Sequence, residues 1–231
     1  FQGFRRANGV AATRNYIGVI STVNCSATVV KKIAENFTDD ILSEYPNVDG
    51  VVALTHGSGC GMGTFEGQLM VQRCVGGYAR HPNFAGVVIV GLGCEGLQMK
   101  GLLEKENLVA ADTLRTIIIQ DSGARAALER GTEAVKEMLP IADKVCRTAI
   151  PASELILALE CGGSDAYSGI SANPGLGAAV DLLIRQGGTA CLAETPEIYG
   201  AEHLLTRRAV SQEVGEKLVA RIKWWEEYTK R

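Results

Sequence analysis

Apolar and polar positions along the chain come in alternating blocks. Short continuous runs of Val, Ile, Leu and Ala are each followed by a longer stretch whose apolar residues recur at helical spacing. The apolar runs at 16–23, 48–54, 85–92, 116–119, 154–159 and 189–192 predict six strands. The stretches 26–37, 65–80, 124–139, 173–185 and 211–228 predict helices, with a partly helical segment over 96–114. A run such as Val87-Val88-Ile89-Val90 does not alternate, and strands buried on both faces read that way. Right-handed crossovers between such strands give an α/β fold: a doubly wound, Rossmann-like, mostly parallel sheet of about six strands with helices on both faces. Helix punctuation agrees. Pro174 in the first turn of the 173–185 helix and Gly187 past its end follow the N-terminal proline, C-terminal glycine asymmetry. Thr195 before Pro196 is expected to cap a further helix. No repeat or linker interrupts the pattern, so residues 1–231 are expected to form a single α/β domain, with 139–151 the weakest boundary.

Charge and cysteine content narrow the picture. Of 231 residues, 26 are acidic and 23 basic, a net charge of −3 that gives no surface for nucleic acid or membrane. No apolar run approaches the roughly 18 residues of a membrane helix. The cysteines number seven, an odd count with no C-x-x-C pair. That argues for thiols or ligands in a reducing, cytoplasmic setting and against a zinc ribbon. The chain begins at Phe1 without a methionine and is expected to be part of a longer protein.

In a parallel α/β sheet, ligands bind beyond the carboxyl ends of the strands. The segments expected there are Asn24-Cys25-Ser26, His56-Gly57-Ser58-Gly59-Cys60-Gly61, Gly91-Leu92-Gly93-Cys94-Glu95, Glu160-Cys161-Gly162-Gly163-Ser164-Asp165 and Ala193-Glu194-Thr195. Four cysteines fall on this crest, where helix N-termini favour thiolate. Cys74, Cys146 and Cys191 are expected instead to be small buried hydrophobes. The catalytic candidates are His56, Glu95, Asp165 and Glu194, each of a type that can move a proton; Asp165 can equally be a local cap. Asn24, Cys25, Ser58 and Ser164 are candidate substrate contacts. Arg14 is a further candidate for a substrate carboxylate, although it precedes the first predicted strand. Cys60, Cys94 and Cys161 are candidate metal ligands. His81 is expected to complement a helix dipole as a cation, and His203 to be structural. The loop from Gly57 resembles a dinucleotide fingerprint but lacks its spacing.

The longer motifs carry a resemblance. Phe1-Gln-Gly-Phe-Arg-Arg, Thr13-Arg-Asn-Tyr-Ile-Gly, Asn24-Cys-Ser-Ala, His56-Gly-Ser-Gly-Cys-Gly-Met, Tyr78-Ala-Arg-His-Pro-Asn and Gly91-Leu-Gly-Cys-Glu resemble the catalytic region of altronate and galactarate dehydratases. So do Cys161-Gly-Gly-Ser-Asp-Ala-Tyr-Ser-Gly, Ala172-Asn-Pro and Glu194-Thr-Pro-Glu, and together they span nearly the whole chain. Gly9-Val-Ala-Ala-Thr-Arg departs from the family's usual Asp-Gly-Arg-Val-Gly-Thr-Arg. The resemblance implies a lyase that removes water from an aldonic or aldaric acid to leave a 2-keto-3-deoxy acid, with ferrous iron as activator. It implies that this chain is the middle domain, working with N- and C-terminal domains. A homo-oligomer is a further expectation. Alternative expectations are a sulfolactate sulfo-lyase subunit, built on a related chain, a non-catalytic binding or assembly domain, and a nucleotide-binding domain.

Overall fold

The computed structural model describes residues 1–59, 65–163 and 165–230. The chain divides into two compact units, Phe1–Ile150 and Pro151–Arg231. The division falls inside the stretch expected to be the weakest boundary.

In the first unit the strands are β1 (Gln2–Arg5), β2 (Ala11–Ala12), β3 (Tyr16–Ser21), β4 (Gly50–Leu54), β5 (Phe84–Gly91), β6 (Leu114–Ile118) and β7 (Arg147–Ala149). The helices are α1 (Ala27–Glu35), α2 (Asp39–Leu42), α3 (Phe65–Ala79), α4 (Met99–Lys105) and α5 (Ile119–Ala142). Four strands form a parallel sheet in the order β4-β3-β5-β6. Both faces are covered, which is why its strands read as unbroken apolar runs. On one face Ile17, Val19, Val88, Val90 and Ile117 pack with Val30 and Ile33 of α1 and Ala127, Val135 and Met138 of α5. On the other, Ile20, Val87, Ile89 and Leu114 pack with Val75 of α3 and Met99 and Leu102 of α4. Full burial of each Val, Leu or Ile contributes about 1.5–3 kcal/mol. Helical geometry breaks inside α5 at Gly123 (φ 84°, ψ 163°), so the helix predicted over 124–139 is the part beyond the break.

A small antiparallel sheet in the order β2-β1-β7, absent from the sequence expectations, closes the unit. The Phe1 amino group donates to the Ile150 carbonyl at 2.7 Å, and Phe4 lies buried under the Arg147 guanidinium. The amino end of the main sheet is laced by Asn15, which is fully buried. Its side-chain amide donates to the carbonyls of Asn47 (2.7 Å) and Ala142 (3.0 Å), and its oxygen accepts from Arg6 (2.6 Å). Asn83, from the Tyr78–Asn83 motif, accepts from the Thr13 amide at 2.9 Å and so fixes the approach to β3.

The second unit contains β8 (Ile156–Leu159), α6 (Ala166–Ile170), α7 (Ala172–Arg185), β9 (Thr189–Leu192), α8 (His203–Thr206) and α9 (Gln212–Tyr228). The fifth and sixth expected strands are thus β8 and β9, and they pair with each other in a two-stranded parallel sheet. The expected sheet of about six strands is found as four strands in one unit and two in the other. Among the described residues, Ile222 is the one buried large apolar side chain of this unit, at 5% exposed. Thr195 is not a cap. It is the first residue of a short 3-10 turn, Thr195–Ile198, with Glu194 in the capping position and no side-chain bond made there. Ser211 does cap α9, accepting from the Val214 amide at 3.3 Å.

Candidate active site

The order β4-β3-β5-β6 means that the chain builds outward from β3 first to one side and then to the other. The crevice between the carboxyl ends of β3 and β5 is therefore the topological switch point, where sheets of this kind take their ligands. Three predicted segments meet there. Asn24-Cys25-Ser26 forms a 3-10 turn leading into α1, with Asn24 and Cys25 exposed and Ser26 buried. The Ser26 hydroxyl donates to the Val90 carbonyl at 2.8 Å, which ties this turn to β5.

His56 follows β4 and reaches across to β3. Its Nδ1 accepts from the Ser58 amide at 3.2 Å, so Nε2 carries the proton and donates to the Ser21 carbonyl at 3.2 Å. This is the neutral imidazole, with both nitrogens engaged. Ser58 in turn accepts at its carbonyl from the Asn24 amide at 2.8 Å. His56 and Ser58 also line an apolar cleft of about 220 Å³ with Ile20, Leu54, Met70 and Tyr78. Cys60 lies outside the described residues.

Glu95 is 5% exposed. It accepts from the Thr22 hydroxyl at 2.8 Å and from the amides of Leu92 (3.0 Å) and Gly93 (2.5 Å). A Cβ at Gly91 would stand 2.6 Å from Glu95 Oε1, so the absence of a side chain there makes room for the carboxylate. Thr22 was not among the predicted site residues. Its signal in the sequence is slight: a hydroxyl residue just past a strand end. Cys94, next to Glu95, is exposed.

In the second unit the carboxyl ends of β8 and β9 carry Cys161 and Glu194, and the Cys161 amide donates to the Glu194 carboxylate at 2.7 Å. Both line a cleft of about 250 Å³ with Glu160, Asn173 and Glu197. Asp165 caps α6, its carboxylate accepting from the Ser168 amide at 2.9 Å. Ser164 lies outside the described residues.

Other expectations resolve differently. Arg14 sits at the amino end of β3, exposed, 3.8 Å from Asp49. It is separated from the crest by the length of the six-residue strand β3, roughly 20 Å. His81 is not a cation for the α3 dipole: its Nδ1 accepts from the Asn83 amide, and burial lowers its pKa, which favours the neutral ring. Cys74, Cys146 and Cys191 are exposed rather than buried. Cys74 follows from its helix face, since the inward side of α3 is taken by Val71 and Val75. Among the described residues, no three His, Cys, Asp or Glu side chains come together in a way that could hold a metal ion. Of the three candidate ligands, Cys94 is in the first unit, Cys161 in the second, and Cys60 is not described.

Comparison with known proteins gives this geometry a context. Residues 3–143 match the model for the second domain of D-galactarate dehydratase/altronate hydrolase, and residues 152–231 match the D-galactarate/altronate dehydratase C-terminal model. The chain belongs to the galactarate/altronate dehydratase family. The two matches follow the two units, so this family member carries C-terminal-domain sequence after the second domain. It is 37% identical to an altronate dehydratase of Bacillus subtilis and 39% identical to a galactarate dehydratase (L-threo-forming) of Escherichia coli, each over 99% of this chain. A (2R)-sulfolactate sulfo-lyase subunit beta of Chromohalobacter salexigens is 29% identical over 95% of the chain. The chain spans 45% of the length of each of these two dehydratases. No helix among the described residues is long and apolar enough to cross a membrane.

Proposed function

We propose that the intact protein dehydrates a sugar acid of the altronate or galactarate type. The observation that carries this is the similarity, across 98–99% of the chain, to three relatives named as altronate or galactarate dehydratases. In such a reaction a base takes the proton on the carbon α to the carboxylate. The hydroxyl on the next carbon leaves as water, and the resulting enol becomes the 2-keto-3-deoxy acid. A proton carrier must reach the substrate. His56 fits that role because it lines a cleft between the carboxyl end of β4 and α3. To act, it must exchange the Ser58 amide or the Ser21 carbonyl for a substrate atom. Ser58, bonded to it, and Asn24, bonded to Ser58, are the neighbouring candidates for substrate contacts, with Cys25 next to Asn24 in the chain. Glu194 lines the cleft of the second unit and is the corresponding candidate there.

Ferrous iron, with Cys60, Cys94 and Cys161 as contributors, belongs to the proposal for the intact protein. The described residues assemble no ligand set, so the steps above use protein groups alone. A homo-oligomer in the cytoplasm is part of the same proposal. The test is an anaerobic assay of the intact protein, supplied with ferrous iron, on altronate, galactarate and sulfolactate. A 2-keto-3-deoxy acid from altronate or galactarate is expected. Release of sulfite from sulfolactate, with both sugar acids untouched, would favour the sulfo-lyase reading that the 29% relative supports.

A further inference from the structure

Glu95 has the residue type of a base, but its surroundings give it another task. It sits 5% exposed between two loops that belong to different strands. One carboxylate oxygen takes the Thr22 hydroxyl from the segment after β3 and the Leu92 amide from the segment after β5, and the other takes the Gly93 amide. The carboxylate thus bridges the two sides of the switch-point crevice. In the turns it joins, Asn24 and Cys25 on one side and Cys94 on the other are exposed. A group sealed in this way has three donors aimed at it and no open path to a substrate carbon.

We infer that Glu95 is a positioning residue: it acts through Thr22, Leu92 and Gly93 to hold the Asn24–Ser26 turn against the Leu92–Cys94 turn, and it is not the proton carrier. Its substrate-facing consequence rests on the dehydratase reading. The bridge itself rests on the geometry alone.

The two roles separate experimentally in the intact protein. Thr22→Val keeps the side-chain shape and leaves Glu95 in place, but removes the hydrogen bond by which Glu95 reaches across the crevice. It is expected to lower kcat about tenfold, the value of one well-placed hydrogen bond of about 1.4 kcal/mol. Thr22→Ser, which restores a hydroxyl, is expected to recover most of that loss. Glu95→Gln must turn its NH2 toward at least one backbone donor. It is expected to lower kcat while leaving both limbs of the pH–kcat profile in place, and to raise amide hydrogen exchange at Leu92 and Gly93 at least tenfold. Wild-type kcat in Thr22→Val would overturn the inference. So would loss of the acid limb in Glu95→Gln, or unchanged exchange at the two amides. Should the wild type turn over neither altronate nor galactarate, the dehydratase reading fails, and the exchange measurement still decides the bridge.

Discussion

Glu106, just beyond α4, offers the sharpest test of how the first unit is held together. Its side chain is 10% exposed and accepts from Gln72 Nε2 of α3 at 2.8 Å and from Arg80 Nη2 at 2.9 Å. Arg80 also donates to the Glu106 carbonyl, at 2.5 Å. Gly76 makes the approach possible, because a Cβ there would stand 2.5 Å from Glu106 Oε2. The hydrogen bond from Gln72, followed by that from Arg80, lowers the pKa of Glu106 below its ordinary 4.5. Glu106→Gln keeps the volume, removes the charge, and sets an NH2 against one of the two donors. A hydrogen bond to a charged group contributes about 1.5–3 kcal/mol. Arg80 is half exposed, which screens its share, so the expected loss is about 1–2 kcal/mol. For a unit of this size that is roughly 2–8 °C in Tm. The sign with pH follows from the lowered pKa. The folded state holds the charged form more tightly than the unfolded chain does. The stabilisation is therefore fully present above pH 4.5 and fades as pH falls through the lowered folded value. Thermal unfolding followed by circular dichroism should show the widest gap between wild type and Glu106→Gln at pH 7, closing below about pH 4.5. A gap of the same size at pH 3 as at pH 7, or no gap at pH 7, would refute the reasoning.

Asn15→Ala removes the partner of the Asn47 and Ala142 carbonyls and of one nitrogen of the Arg6 guanidinium. It should cost roughly 2–4 kcal/mol, read from urea unfolding, and a cost under about 1 would show that water replaces the amide. Gly91→Ala puts a methyl 2.6 Å from Glu95 Oε1 and 3.4 Å from Met99 Cε. It is expected to cost about 1–3 kcal/mol by the same measurement, and wild-type stability would mean that the carboxylate can move aside. Ser211→Ala removes the cap that accepts from the Val214 amide. It should weaken hydrogen-exchange protection in the first turn of α9 by about 1 kcal/mol, with Ser211→Asp close to neutral.

The elements best read from sequence are those whose local pattern and tertiary role agree. β3 and β5 are runs of branched apolar residues, and helices cover them on both faces, so pattern and burial coincide. β1, β2 and β7 went unread because strands of four, two and three residues are too short to show alternation. What holds them is distant in the chain, as in the pairing of Gln2 with Ala149. The same limit explains the sheet count. A run such as Thr189–Leu192 declares itself a strand, but nothing local states which strand it will pair with. That depends on β8, thirty-three residues earlier by register.

The candidate site was legible in position and less so in orientation. Parallel topology alone puts the segments after β3, β4 and β5 at one end of the sheet, and the structure brings His56, Ser58, Asn24 and Glu95 to that end. Whether a side chain there faces outward is decided by its neighbours. Glu95 turns inward because Gly91 leaves space for it and the amides of Leu92 and Gly93 point toward it. Those features are glycines and backbone groups, which hydropathy does not register. Cys74 errs in the opposite direction for a related reason. α3 carries apolar residues on two stripes, Val71 and Val75 facing the sheet, and Met70, Cys74 and Tyr78 at a spacing of four lining the outer side. A helix on the flank of a sheet needs one apolar stripe. The second stripe is therefore not core, and it forms one wall of the cleft that holds His56. The surplus of apolar residues in α3 was visible in the sequence; reading it as a wall requires knowing that β4 ends beside it.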